Sequence, residues 1–293
     1  MSTVALIINP ATVDEPSAVT AMIERRCNDA GWDRVSVRHT TPDDPGETAA
    51  RSAVAEGAEL VLCCGGDGTL ASAAAGLLHS DVPMGVLSTG SGNLLSRNLD
   101  IPLHLDEALD VALGERTRLI DVGRVDGNTF VVMAGIGLDA AIMHEASDAL
   151  KERLGWFAYV VAGVKSLRNR AMAISIRIDQ QETIRHGRAR TVIVGNVGQL
   201  QGGLPLLPGA DPSDGVLDVV VIAPRVLADW LTTAWRITRR GSKTDGRLQR
   251  FRGREIELRS RRPHLRQYDG EVMVPSHTLL ISTDPAALLV KVP

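Results

Sequence analysis

The residues most able to do chemistry sit in two glycine loops and three acidic stretches. Leu62 to Leu70 reads LCCGGDGTL. An apolar run leads into Gly65-Gly66-Asp67-Gly68-Thr69, and Leu70 to Ala75 continues as a strong helix former. Glycines between a strand and a helix leave backbone N–H groups free to approach phosphate oxygens at the positive helix end. Thr69 is the expected N-cap of that helix. Asp67 would repel phosphate unless a cation lies between them, which makes it a candidate Mg²⁺ contact. A tight turn with Asp67 capping a backbone amide accounts for the same residues. Neither a G-x-x-x-x-G-K-[ST] loop nor a G-x-G-x-x-G fingerprint is present at this loop.

The second loop follows the same pattern. Val86-Leu87-Ser88-Thr89 leads into Gly90-Ser91-Gly92-Asn93, then a helical stretch carrying Arg97. Ser91 and Asn93 are able to bind a ligand or cap the helix. Two such loops at neighbouring strand ends would face one crevice. The acidic stretches are Asp121 after an apolar run, Asp211-Pro212-Ser213-Asp214-Gly215, and Asp269-Gly270-Glu271. A turn with two carboxylates and free carbonyls suits a hard cation, and it also suits an ordinary polar loop. A D-G pair is by default a surface turn, and Asp121 reads equally well as a strand-edge carboxylate.

These residues need a scaffold. The chain has 293 residues, enough for two domains, with 44% hydrophobic and 23% charged residues. The net charge of -3 gives no indication of a nucleic-acid partner. Cys27, Cys63 and Cys64 form no C-x-x-C pair and read as buried thiols of a reducing cytosol. Neither a signal peptide nor an apolar run approaching 18 residues is expected, so no transmembrane segment is expected.

Strands at Val4–Ile8, Val35–Val37, Leu60–Cys64 and Pro83–Leu87 alternate with helical patterns at Ser17–Ala30, Gly46–Ala58, Thr69–Leu78 and Leu103–Leu113. That alternation predicts a parallel sheet covered on both faces, a three-layer α/β domain. The character changes near Leu119. A hairpin is expected from Val122–Val125 through Asp126-Gly127-Asn128 to Phe130–Ala134. Helical stretches at Leu138–Leu150 and Leu154–Leu167 follow. Alternating segments come next at Ala173–Ile178, Arg190–Gly195, Leu217–Ile222, Glu255–Leu258 and Leu279–Ser282, with a long loop at Gly198–Gly215. This half predicts an antiparallel β-sandwich or partial barrel. The expected domains are 1–120 and 121–283, with 284–293 packing back onto the first.

The ordered motifs resemble the bacterial diacylglycerol kinase family of soluble lipid kinases, related to sphingosine and ceramide kinases. They are Asn9-Pro10, Gly65 to Thr69, Gly90 to Asn93, Ile120-Asp121-Val122-Gly123, Gly135-Ile136-Gly137-Leu138-Asp139-Ala140, Asp214 to Asp218 and Asp269-Gly270-Glu271. The resemblance spans nearly the whole chain. It implies an ATP-dependent kinase acting on a lipid hydroxyl, with diacylglycerol the leading acceptor and an active site in the cleft between two domains. By position it implies that Asn9, Thr40, Thr41, Gly65, Gly66, Asp67, Gly68, Thr69, Gly90, Ser91, Gly92 and Asn93 hold ATP. Asp67 and Asp121 would serve Mg²⁺ and the phosphates, and Glu271 would be the general base. Asp211, Asp214 and the Val216 carbonyl would form a second, structural Mg²⁺ site. Two departures stand out. Ala11-Thr12-Val13 replaces the usual glycine after Asn9-Pro10, and Leu94 stands where the family commonly has aspartate.

Arg236 to Arg266 holds eleven Arg and one Lys against three acidic residues. Before it, Leu227, Trp230, Leu231, Ala234 and Ile237 fall at helical spacing. A cytoplasmic enzyme peripheral on anionic membrane would use such a region, and a core-facing helix followed by a solvated hairpin would carry the same residues. Leu154 to Val161 suits an acyl pocket or plain core. Family members often dimerise. Competing readings are a kinase of another lipid alcohol (a sphingoid base, phosphatidylglycerol or a polyprenol), an NAD kinase sharing the GGDGT loop, and a non-catalytic lipid- or nucleotide-binding module. The Asn-Glu pair of NAD kinases is absent.

Overall fold

In a computed structural model the chain forms two compact units, Met1–Asp121 with Ala286–Pro293, and Val122–Pro285. The structure describes residues 2–137, 171–181, 183–200, 204–223 and 248–293. The expected helices at 138–150 and 154–167, the apolar stretch 154–161 and the Trp-bearing helix at 227–237 lie outside the described residues.

The first unit opens with β1 (Thr3–Ile8), α1 (Pro16–Asp29), β2 (Arg34–His39), α2 (Glu47–Ala55), β3 (Leu60–Gly65), α3 (Asp67–Leu77) and β4 (Met84–Ser88). Two more helices follow, α4 (Leu94–Asn98) and α5 (Leu105–Leu113), then β5 (Thr117–Val125). The four strands β1 to β4 are parallel in the order β2-β1-β3-β4. Every residue of β3 and β4 is buried. Successive strand side chains point to opposite faces, so these strands are covered on both. Cys63 and Cys64 lie inside β3 and Cys27 on the buried face of α1. All three are free, and burial pushes the Cys64 thiol up to about 12 and the Cys27 thiol up to about 11. They pack as small hydrophobes.

Helix α3 begins two residues earlier than its sequence suggests. Its N-cap is Gly66, and Thr69 is the third helical residue instead of the cap. The chain also returns to this unit at its end. Val290 pairs with Met84 in parallel, the His79 amide donates to the Ala287 carbonyl at 2.8 Å, and the Val292 amide donates to the Arg116 carbonyl at 3.2 Å.

The second unit is β-rich. After β5 come β6 (Asn128–Phe130), β7 (Met133–Gly137), β8 (Met172–Ile178), β9 (Ile184–Ala189) and β10 (Thr191–Gly195). The short pair β11 (Gln199–Leu200) and β12 (Leu204–Pro205) lies in the expected long loop. Then come β13 (Leu217–Ile222), β14 (Leu248–Gly253), β15 (Glu255–Tyr268) and β16 (Glu271–Lys291). The strands β14-β13-β10-β7-β15 pair antiparallel in that order. β15 serves two partners. Ile256–Ser260 pairs with β8, while Arg266–Tyr268 pairs with β7, and the register breaks between Arg259 and His264. A bulged strand that changes partners is how a sandwich turns its corner. Inward residues fill one core: Ile174 and Ile176, Val192 and Val194, Val219 and Val221, Leu258 and Leu279.

Three sequence expectations change here. The expected Phe130–Ala134 strand is two strands, because β6 ends at Phe130 and β7 starts at Met133. The amides of Val131, Val132 and Met133 turn instead to the Asp269 carboxylate, at 2.7, 3.0 and 2.8 Å. The β5–β6 turn is Asp126-Gly127 alone, both left-handed, with Asn128 already paired to Val125. Arginine-rich segments at 248–253 and 259–268 are strands, since an exposed or edge strand needs no apolar alternation.

Gly123 of β5 lies against the ring of Phe130, and an added Cβ would fall inside that ring. Phe130 is fully buried and cannot withdraw. Gly123→Ala is therefore expected to destabilise the protein by about 1–3 kcal/mol as an overpacking substitution. Urea denaturation of the two proteins checks this. Equal midpoints would show that the strand yields without cost.

Candidate functional site

The sheet order β2-β1-β3-β4 reverses direction between β1 and β3, because the chain goes to one side for β2 and to the other for β3. Ligands of open parallel sheets bind at the carboxyl ends of strands beside such a reversal. Asn9 follows β1, Thr40 and Thr41 follow β2, Gly66 to Thr69 follow β3, and Thr89 to Asn93 follow β4. All are candidate residues from sequence except Thr89.

Hydrogen bonds knit these strand ends together. The Asn9 amide donates to the Cys64 carbonyl at 2.9 Å. Asn9 Nδ2 donates to Thr69 Oγ1 at 2.9 Å, while its Oδ1 accepts from the Ala11 amide at 3.0 Å. Asn9 thus fixes both its own loop and the first turn of α3. Thr12 Oγ1 lies 3.2 Å from Thr89 Oγ1, joining the loop after β1 to the loop after β4. Thr12 and Thr89 escape sequence reasoning because nothing in either segment marks a pair of residues 77 apart. Thr40 is buried and its amide donates to the Ile8 carbonyl at 3.0 Å. Thr41 Oγ1 accepts from the Asp44 amide at 3.1 Å, and Asp44 in turn accepts amides of Gly46, Thr48 and Ala49 at the start of α2.

Asp67 answers the question of a carboxylate among glycines. One oxygen accepts the Asn93 amide at 2.8 Å, and the other accepts the Leu94 amide at 2.7 Å. Asp67 therefore caps α4 from another loop. Burial pushes its carboxyl above the ordinary value, opposed by bonds from Leu94, Asn93 and Leu95 and by the charge of Arg97. The approach is close. A Cβ on Gly92 would lie 2.5 Å from Asp67 Oδ2, and one on Gly90 would lie 2.9 Å from the Gly66 Cα. Real Cβ contacts are never that short, so the two loops touch only because both positions are glycine.

Ser91 is exposed, and there is open space beside Gly68. Asn93 is buried in a left-handed conformation, and its side-chain oxygen has no donor within the protein. The N-terminus of α3, an eleven-residue helix, ends at the same place and favours anions.

The remaining candidates are arranged differently. Asp121 is 2% exposed, and its Oδ1 accepts the Ala286 amide at 2.8 Å, tying β5 to the returning chain end. In the second unit Glu271 is exposed and opens β16, paired with Tyr268 across the two-residue turn Asp269-Gly270. Both turn residues are left-handed, as a type I′ hairpin requires. Asp269 is structural: it holds Val131 to Met133.

The Asp211–Val216 turn carries donors that suit a hard divalent cation. Asp211 Oδ1 accepts the Ser213 amide at 3.0 Å, and Asp214 Oδ1 accepts the Val216 amide at 3.1 Å. A cation already stands there. Arg252 forms ion pairs with Asp214 and, at 3.3 Å, with Asp218, which lies opposite it on paired strands. Burial pushes the Asp218 carboxyl up, and Arg252 pulls it back. The donor types fit Mg²⁺, but Arg252 must release Asp214 for a metal to take that carboxylate.

Asp67→Asn tests the loop clamp. It keeps one acceptor and turns an N–H donor toward the second amide. The expected loss is about 1–3 kcal/mol, with faster hydrogen exchange at the Asn93 and Leu94 amides. Unchanged exchange at both amides would show that the clamp does not hold the loop.

The comparisons with known proteins agree with this architecture. The family described as diacylglycerol kinase catalytic domain matches residues 3–125, and the YegS C-terminal NAD kinase beta sandwich-like domain matches residues 131–292. A Pseudomonas fluorescens protein named "Probable lipid kinase YegS-like" is 32% identical over 278 residues, 94% of this chain and 90% of that protein. A Staphylococcus epidermidis diacylglycerol kinase is 28% identical over 173 residues, 58% of this chain and 54% of that one. The solved structure of a diacylglycerol kinase from Bacillus anthracis has a TM-score of 0.81 at 22% identity and covers all of this chain and 97% of that one. An NAD kinase from Archaeoglobus fulgidus in complex with ATP gives 0.52 at 13%, covering 99% and 93%. Those two likenesses concern the fold. The chain belongs to the family of lipid kinases that contains the YegS-like proteins and the diacylglycerol kinases.

Proposed function

We propose that this protein transfers the γ-phosphoryl group of ATP to a lipid hydroxyl, with diacylglycerol as the leading acceptor and phosphatidic acid as product. The observation that carries this reading is the pair of glycine loops after β3 and β4, locked by Asp67 beside the start of α3. Phosphoryl transfer needs positioned phosphates, neutralised charge and help for the attacking hydroxyl. Backbone amides of Gly66 to Gly68 and the α3 dipole supply the first. Ser91 and Asn93, in the loop after β4, are assigned to the rest of the nucleotide. Thr40 and Thr41 lie at the adjacent strand end.

Magnesium, when bound, would neutralise charge on the phosphates. Asp67 keeps lone pairs beyond its two amide bonds and would reach a cation directly or through water. Asp121 is assigned to the same task. Glu271 is assigned as general base: it is exposed at the start of β16, where it would accept the proton of a lipid alcohol. Asp211, Asp214 and the Val216 carbonyl would hold a second, structural cation. Action at the cytoplasmic face of an anionic membrane follows from a lipid acceptor. Among the described residues no helix is long and apolar enough to cross a membrane.

Transfer of labelled phosphate from ATP to a panel of lipids tests the reading. Label on diacylglycerol is the expected result, and label on NAD alone would replace the reading with NAD kinase. Glu271→Gln is expected to lower kcat about 100-fold or more with nucleotide affinity retained, as loss of a general base does. Near-normal turnover would remove Glu271 from that role. For the second cation, Arg252→Gln is expected to enlarge the rise in Tm produced by Mg²⁺, and Asp214→Asn to abolish it. Equal Mg²⁺ shifts in all three proteins would rule out a metal at that turn.

A further inference from the structure

The β15–β16 hairpin is irregular in a way that two flat strands are not. Register runs Arg259↔Thr278, then His264↔Ser276, then Arg266↔Met273. Four residues of β15, Ser260 to Pro263, therefore face only His277. One residue, Leu265, faces both Val274 and Pro275. Bulges push out the extra residues and re-aim their side chains. The first bulge carries Arg261, Arg262 and Pro263, all exposed. Ser260 Oγ fixes it by donating to the Arg262 carbonyl at 2.6 Å. The second carries Val274, 76% exposed, and Pro275, opposite the exposed Leu265.

A buried arginine holds this shape. Arg266 is 5% exposed and paired with Asp126. It donates to the carbonyl of Val274 at 3.1 Å and to that of Thr278 at 3.2 Å. One carbonyl belongs to the extruded residue Val274 itself, and the other lies three residues beyond Pro275. A buried guanidinium is costly unless fully paired, and here its bonds fix a bulge whose apolar side chain stays in water.

The charge is one-sided. Residues 259–268 contain Arg259, Arg261, Arg262 and Arg266 and no acid, and 272–283 contain no acid either. Asp126 pairs with Arg266, and Glu257 is shared by Arg177 and Arg259; among the described residues no ion pair to Arg261 or Arg262 is found. Arg262 and His277 both disfavour the charged form of His264, second to its burial, as a positive patch would. Exposed apolar side chains on one bulge and exposed arginines on the next match an anionic lipid surface, where the former insert and the latter meet phosphates.

We propose that the double-bulged end of the β15–β16 hairpin is the docking surface for an anionic bilayer, with Val274 and Leu265 entering the interface and Arg261 and Arg262 contacting headgroup phosphates. The proposal rests on the lipid-kinase reading for its purpose. Val274 is three residues from Glu271 along an extended strand, about 10 Å, so docking would bring the assigned base to the membrane surface.

The test is co-sedimentation with vesicles of phosphatidylcholine alone or mixed with phosphatidylglycerol. The parent protein is expected to bind the mixed vesicles and to bind phosphatidylcholine weakly. The Arg261→Glu/Arg262→Glu double variant and, separately, Val274→Asp are expected to lose at least about tenfold in binding, with unchanged Tm and ATP affinity. Parental binding by both variants would overturn the proposal. So would a change in oligomeric state on Val274→Asp with vesicle binding intact, because the patch would then be a subunit contact. Phosphorylation of diacylglycerol in mixed micelles is measured alongside. Failure there with normal vesicle binding would count against the kinase reading and leave the docking surface standing.

Discussion

Two backbone N–H groups converging on one carboxylate hold together the loops at the carboxyl ends of β3 and β4. Asp67 stands on the first turn of α3 and accepts amides from the start of α4. The loops it joins are rich in glycine, with few side chains to pack. Without such a clamp, the entropy of several glycines would spread each loop over many conformations. With it, the start of α3 and the loop carrying Asn93 are held together. Asn9 and the Thr12–Thr89 pair extend the same lock to β1 and β4. Preorganised main-chain donors are what phosphate binding requires, and they come from tying loops down with a few side chains.

The same device recurs. Asp44 gathers the first amides of α2, Asp121 holds Ala286, Asp179 accepts the amides of Arg254 and Glu255, and Asp269 takes three successive amides between β6 and β7. An ionised carboxylate accepts several strong bonds and donates none. That makes aspartate suited to places where a strand stops and its amides need partners.

It also explains what could be read from the chain itself. The parallel sheet and its helices were legible because their strands are buried on both faces and appear as unbroken apolar runs such as Leu60–Cys64. The glycine loops were legible as strand-to-helix turns, while G-G-D-G-T alone left Asp67 open to either a cation or an amide cap. The partners of each aspartate were not. Accepting backbone amides and binding a metal call for the same side chain, and only the fold says which residues, 26 or 138 positions away, come to it. β14 and most of β15 were hidden for a related reason. Their arginines face solvent or pair across strands, as Arg252 does with Asp218, and leave no apolar alternation.

The return of Ala286–Pro293 to the first unit has a bearing on how the protein is made. When residues 1–121 emerge from the ribosome, the acceptor Asp121 has no Ala286 to receive, and β4 lacks its neighbour in β16. A strand edge in that condition is open to other chains. The unit that begins first is therefore finished only once residues 286–293 have been made. Until then neither the sheet edge at β4 nor the buried carboxylate of Asp121 is closed.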